Sequence, residues 1–200
     1  MCIRDRYRAA DRFPEAVTWF RRSLQLNPRQ PLAYLALGDI HFRQGRWHDC
    51  IAILEQGRRQ FPTRLDILTE LGRAYQQAGD PEQALRTWKQ ADTLHPNDSS
   101  IMNNLAWIYA TSTAAEHRNP ALALELASKA VTARPNNTGY LNTLACALEA
   151  NGRIDEAIKI VQDILTRLPE NDLDERPDNT ELLERLKKKS AASGKPKTAD

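Results

Sequence analysis

Pro28, Pro62 and Pro96 stand 34 residues apart, and Pro135 and Pro169 are again separated by 34. Twelve residues before each proline is a small side chain: Ala16, Cys50, Ala84, Ala123 or Ala157. A fixed period in this range constrains the chain to a stacked array of like units. Arrays of this kind share one core between neighbours and present surfaces more often than catalytic clefts.

The second repeat reads Tyr34, Leu37, Gly38, His41, Gly45, Cys50, Leu54, Pro62, and the third Leu68, Leu71, Gly72, Tyr75, Gly79, Ala84, Trp88, Pro96. Large residues recur at intervals of three and four, the mark of one buried helix face. Gly38 and Gly72 are small where a second helix must approach closely. Gly45, Gly79 and Gly152 fall where the first helix of a repeat ends, and glycine takes the left-handed conformation there at little cost. The closing proline cannot continue a helix interior. Each repeat is therefore helix, tight turn, helix, proline, and the chain is all-α. The pattern predicts helices over 13–26, 31–44, 47–60, 65–78, 81–94, 99–112, 120–133, 138–151, 154–167 and 179–189. The fifth repeat follows as Leu141, Leu144, Ala145, Leu148, Gly152, Ala157, Val161, Pro169. The fourth carries Met102, Leu105, Ala106 and Tyr109, then Ala123, Ala127, Ala130 and Pro135, and its proline interval is 39 instead of 34. Its extra residues fall in Ser112–Arg118, expected as a surface loop. Asn119-Pro120 then restarts a helix, with Asn as N-cap and Pro at the first helical position.

These residues resemble the tetratricopeptide-repeat (TPR) family, whose pattern is W-x2-L-G-x2-Y, A-x3-F, P. The third repeat is similar throughout; the second departs at His41 and Cys50. The resemblance covers residues 1–171 and implies a right-handed α-α superhelix of antiparallel helix pairs. It divides the chain into a partial repeat over 1–30, repeats over 31–64, 65–98, 99–137 and 138–171, a linker and capping helix over 172–189, and a disordered tail over 190–200. Leu182, Leu183 and Leu186 mark the cap, and Glu181 with Arg185 and Glu184 with Lys188 are spaced as helix pairs. The array begins mid-helix, with Ile3 and Tyr7 at the expected Leu and Tyr positions. That points to a piece of a longer protein and to incompletely packed Val17, Phe20 and Leu24, through which copies could self-associate.

Composition narrows the partners. A formal charge of +2 argues against nucleic acid. No apolar run approaches the roughly 18 residues of a membrane span, and no signal peptide is visible. The compartment stays open: cytoplasmic if the chain is complete, periplasmic or envelope-associated if it is a fragment. Cys50 reads as a buried free thiol and Cys146 as partly exposed, and no cysteine spacing suggests a disulfide framework. His41, His48 and Cys50 lack a fourth ligand for structural zinc. With no P-loop, GxSxG or HExxH, we expect no enzyme activity, cofactor or metal.

The resemblance implies that first helices line an inner groove. The corresponding positions include Leu35, Asp39, Phe42 and Arg43; Thr69, Arg73, Gln76 and Gln77; Asn103 and Trp107; and Asn142. Amides can pair with a peptide backbone and aromatic side chains can anchor it. Asp39 disfavours the subtype that clamps a chaperone's terminal carboxylate. The expected function is a non-enzymatic scaffold or adaptor binding a partner peptide or helix. The alternatives are the regulatory or substrate-presenting region of a larger enzyme, such as a glycosyltransferase or protease, and an assembly factor for bacterial envelope, pilus or exopolysaccharide machinery.

Overall fold

The computed structural model describes residues 13–169, 172 and 175–193. Its ten α-helices are α1 (Phe13–Leu26), α2 (Pro31–Arg43), α3 (Trp47–Gln60), α4 (Leu65–Gln77), α5 (Pro81–Leu94), α6 (Ser99–Thr111), α7 (Pro120–Ala133), α8 (Thr138–Ala150), α9 (Ile154–Arg167) and α10 (Arg176–Ser193). The described residues contain no strand, and the fold is all-α.

One turn recurs because the sequence repeats the residue that permits it. Gly45, Gly79 and Gly152 have φ of 70°, 79° and 74°. Their N–H groups bond the carbonyls of Phe42, Gln76 and Glu149 at 3.0–3.1 Å. The next residue's N–H reaches one position further back, from Arg46 to His41, Asp80 to Tyr75 and Arg153 to Leu148, at 2.9–3.0 Å. This pair of bonds satisfies carbonyls that a helix end leaves orphaned, and it needs a left-handed residue between them. The fourth repeat has no such glycine. There Asn119 N–H donates to the Tyr109 carbonyl at 3.1 Å, so the same repeat position is bonded across the insertion. The insertion forms a short 3-10 turn, Ala115–His117. Asn119 then caps α7 as expected, its Oδ1 accepting from Leu122 N–H at 3.1 Å. Asp80, Asp98 and Asn137 cap α5, α6 and α8 in the same way.

The chain divides into two compact units, one ending at Pro96 and one beginning at Asn97. Repeat arrays make their contacts mainly between neighbours, so a division falls naturally at a repeat boundary.

In the N-terminal unit, α2 packs on α3 and α4 on α5. A Cβ built on Gly72 would lie 2.2 Å from Trp88 Nε1, and one on Gly38 2.9 Å from Leu54 Cδ2. The two glycines admit the helix crossings. Trp88 is fully buried, and its indole N–H donates to the Thr69 carbonyl at 3.4 Å. Tyr75 ties α4 back to α3 through Glu55 Oε1 at 2.8 Å. Cys50 is buried, and burial pushes its thiol pKa up to about 12. His41, in the usual Tyr position, is also buried, and its Nδ1 has no hydrogen-bond partner among the described residues.

In the C-terminal unit, α6–α7 and α8–α9 pack as helix pairs and α10 packs on α9. Tyr140 OH on α8 meets Ser100 Oγ on α6 at 3.0 Å. Leu182, Leu183 and Leu186 of α10 are buried, as their spacing predicts. The helix itself exceeds the expected 179–189 at both ends. Asp172 Oδ1 accepts from Glu175 N–H at 2.8 Å, and Arg176 Nη1 donates to the Leu165 and Leu168 carbonyls at 3.1 Å, which anchors an earlier start. Ser190 Oγ donates to Asp155 Oδ1 at 2.9 Å, so 190–193 continue the helix in place of a tail; 194–200 lie outside the described residues, as do Cys2, Ile3 and Tyr7. The ion pairs differ too: Arg185 bonds Glu149, 36 residues away, in preference to Glu181, and Glu184 pairs with Lys187.

Candidate partner-binding faces

In the N-terminal unit the inner-face positions come from α2 and α4, which touch each other. Phe42 and Arg73 are brought together: the guanidinium carbon lies 4.3 Å from the ring centroid. Trp47, at the start of α3, meets the same ring edge-on, with centroids 4.8 Å apart and planes at 66°. A cation over the face and an aromatic at the edge hold Phe42 from two sides. Beneath them, Leu35 and Phe42 pack against Cys50, Leu54, Leu71 and Ala74.

The charges on this face are paired within their own helices. Arg43 Nε bonds Asp39 Oδ2 at 2.8 Å with both side chains more than half exposed. Arg73 bonds Glu70 at 3.1 Å. Exposed pairs of this kind contribute roughly 0–1 kcal/mol each, so an incoming group can exchange for one partner at small cost. Asp39 is thus an ion-paired carboxylate, not an isolated one. Gln76 is half-buried and Gln77 exposed, each with an amide of two donors and an acceptor. Thr69 is half-buried, and its carbonyl is taken by Trp88.

In the C-terminal unit, Asn103 and Trp107 lie on α6 and Asn142 on α8, all three half-buried. Asn103 Nδ2 is 3.5 Å from Asn104 Oδ1, while its own Oδ1 is buried with no partner among the described residues. An unpaired buried carbonyl costs about 1–3 kcal/mol, which a donor reaching it after side-chain rotation would recover. Other inner positions are closed. Ala110 and Cys146 are buried. Cys146 was expected to be partly exposed, but burial pushes its thiol pKa up to about 11. Glu149 is tied to α10, with Arg185 Nη2 at 2.6 Å from Oε2 and Lys189 Nζ on Oε1. Burial alone would raise this carboxyl, but hydrogen bonds and charge from Lys189 and Arg185 outweigh it and hold the pKa below the usual range.

Of the inner-groove positions, Phe42, Arg43, Arg73 and Gln76 fall on the N-terminal unit and Asn103 and Trp107 on the C-terminal one. Sequence reasoning missed Trp47 and Glu70. Trp47 had a signal: it opens α3 where α5, α7 and α9 open with Pro81, Pro120 and Ile154. Among the described residues no group of three His, Cys, Asp or Glu could hold a metal ion. No described helix is long and apolar enough to cross a membrane.

Family profiles match along this chain. One described as TPR repeat matches residues 5–45, one described as tetratricopeptide repeat matches 29–91, and another of that description matches 69–138 and 112–172. A TPR repeat-containing protein of Methanocaldococcus jannaschii is 26% identical over 159 residues, covering 75% of this chain and 27% of the relative. The chain therefore spans about a quarter of that relative's length. Among solved structures, a thermophilic TPR protein of Thermus thermophilus is 23% identical with a TM-score of 0.67, covering 90% of this chain and 94% of the other. YrrB, a TPR protein with an unusual peptide-binding site, is 15% identical with a TM-score of 0.65, covering 92% and 88%. These structural likenesses concern the fold.

Proposed function

The chain belongs to the tetratricopeptide-repeat family, and from that premise we propose that it is a non-enzymatic scaffold whose inner helix faces hold a partner peptide or helix. The observation that carries this reading is the Phe42–Arg73 contact, which joins α2 and α4 into one face. On that face an aromatic ring sits among exchangeable ion pairs and unspent amides. The ring offers apolar area already ordered by Trp47 and Arg73, so little entropy is lost when a partner covers it. Gln76 and Gln77 can pair with a peptide backbone. On the C-terminal unit Asn103, Trp107 and Asn142 offer the same chemistry, amides beside an aromatic. The peptide-binding site that YrrB's description gives that protein, on a similar fold, is in keeping with this reading.

The test uses a partner recovered by pull-down. Arg73→Ala combined with Trp107→Ala should weaken binding by about 2 kcal/mol or more, as loss of a buried anchor does. Arg58→Ala with Lys89→Ala, away from these faces, should change it little. Thermal melts of both double variants separate lost binding from lost folding. If the second pair abolishes binding and the first leaves it intact, the inner-face reading fails.

A further inference from the structure

Tyr75 stands at a position that recurs in every full repeat, and the repeats fill it differently: His41, Tyr75, Tyr109 and Leu148. In the third repeat the phenol bridges two helices, its hydroxyl donating to Glu55 Oε1 at 2.8 Å. One period earlier the same two places hold His41 and Arg21. An imidazole is shorter than a phenol, and beside His41 lies a cleft of about 450 Å³ between α1, α2 and α3. A second cleft, of about 410 Å³, lies beside Leu148, where the phenol is likewise replaced. The His41 cleft has a polar floor. His41 and Tyr34 are buried beneath it, Leu24 and Ile53 line it from α1 and α3, and Arg21 and Asp49 are exposed at its rim. His41 Nδ1 is buried with no hydrogen-bond partner among the described residues. Burial and the nearby charge of Arg46 hold the imidazole pKa below its usual value, so the ring is neutral at neutral pH. A neutral imidazole has one donor and one acceptor nitrogen.

We propose that the His41 cleft receives a tyrosine side chain of a protein partner, its ring between Leu24 and Ile53 and its hydroxyl on His41 and Arg21. The third repeat makes the same arrangement internally with Tyr75 and Glu55. A phenol hydroxyl both donates and accepts, so it suits either imidazole tautomer, and an arginine beside it donates. The formal charges that line the cleft, Arg21 and Asp49, cancel, which favours a neutral group over an ion. None of the lining residues belongs to the inner faces, so this is a second surface, independent of the first.

The first probe is p-cresol, the tyrosine side chain on its own, followed by methyl NMR of the full chain. It should shift the Leu24 and Ile53 signals and saturate in the millimolar range, as befits so small a ligand. N-acetyltyrosinamide should bind about fivefold more tightly than N-acetylphenylalaninamide, which lacks the hydroxyl. His41→Tyr installs the residue of the third and fourth repeats; it should abolish the shifts while melting no lower than the parent. Arg21→Ala should weaken p-cresol about threefold, and Arg21→Glu should restore it, because a carboxylate there accepts from the hydroxyl as Glu55 does. Arg21 is exposed, so these two variants should fold whatever His41→Tyr does. The proposal is overturned if p-cresol leaves Leu24 and Ile53 unmoved, if the phenylalanine compound binds as tightly, or if a folded His41→Tyr binds like the parent. It is overturned too if Arg21→Glu binds more weakly than Arg21→Ala, or if N-acetylphosphotyrosinamide binds more tightly than N-acetyltyrosinamide. Each of these results leaves the Arg73 and Trp107 test standing, so the two readings fail separately.

Discussion

The two ends of the described chain treat apolar side chains in opposite ways. Helix α1 carries Val17, Trp19, Phe20, Leu24 and Leu26, yet none of its residues is buried, and Trp19 and Leu26 are 75% and 79% exposed. Helix α10 is far more polar, yet its Leu182, Leu183 and Leu186 are all buried. Apolar content does not decide which helix is packed. What decides it is whether the apolar residues fall on the face that meets a neighbour, and whether polar bonds fix that face. Helix α10 has such bonds along its length: Arg176 on the Leu165 and Leu168 carbonyls at the close of α9, Arg185 and Lys189 on Glu149, and Ser190 on Asp155. In α1 the hydroxyl of Thr18 turns back on the Pro14 carbonyl of the same helix, and that of Ser23 bonds Gln30 just beyond its end.

The contrast can be broken most directly by truncation in the core. Leu186→Ala should cost about 3 kcal/mol in urea unfolding, as deletion of a fully buried leucine does, whereas Phe20→Ala in α1 should cost about a third of that. Equal losses would mean that the two ends are packed alike. A crossing inside the array sets the reference for both. Gly72→Leu must displace Trp88, and Ala84→Leu enters a fully buried site, so each should lower stability by about 1–3 kcal/mol. If both melt with the parent, neither end can be called better or worse packed than the middle.

The polar fastening of α10 can be tested on its own. Glu149 has a lowered pKa in the folded chain, so its contribution is complete above the ordinary value of 4.5 and is lost as pH falls through and below it. Amide exchange in α10, corrected for intrinsic rate, should therefore accelerate on acidification before that of α8. Glu149→Gln should produce the same change at neutral pH, at a cost of about 1 kcal/mol because Arg185 and Lys189 are half exposed and screened. An α10 indifferent to both would be held by its leucines alone. The smallest effect is expected at the other end. Trp19→Ser should move stability by less than about 0.5 kcal/mol. It should also reduce any concentration-dependent association seen in sedimentation. Association unchanged by this substitution would remove Trp19 from consideration as a contact.

Most helix boundaries were legible because they are written locally. Proline and glycine act within a few residues of where they stand, so 13–26, 47–60, 81–94, 120–133 and 154–167 could be read from spacing alone. The inner-face residues were legible only as positions on a helix. That Arg73 would sit over Phe42, or that Trp47 would close on the same ring, depends on side-chain directions between three helices, which periodicity does not encode. Arg185 shows the limit most clearly. Its spacing from Glu181 satisfied a local rule, but the partner it takes is the largely buried carboxylate of Glu149, on another helix. Cys146 was misread for a related reason: its place on the helix is an inner one, but α10 is near enough to cover that end.

The bond from Asn119 to the Tyr109 carbonyl has an evolutionary consequence. Elsewhere a hairpin needs a glycine at one place, so its length is locked to a single residue type. Here the chain leaves at Tyr109 and returns at Asn119 to the same acceptor, and what lies between bears no left-handed residue. Residues can be gained, lost or exchanged in 112–118 while the helices on either side keep their register. Arg118 sits at the end of that stretch. The fourth hairpin is where a lineage of such chains can change its length and surface charge while keeping the helices on either side in place.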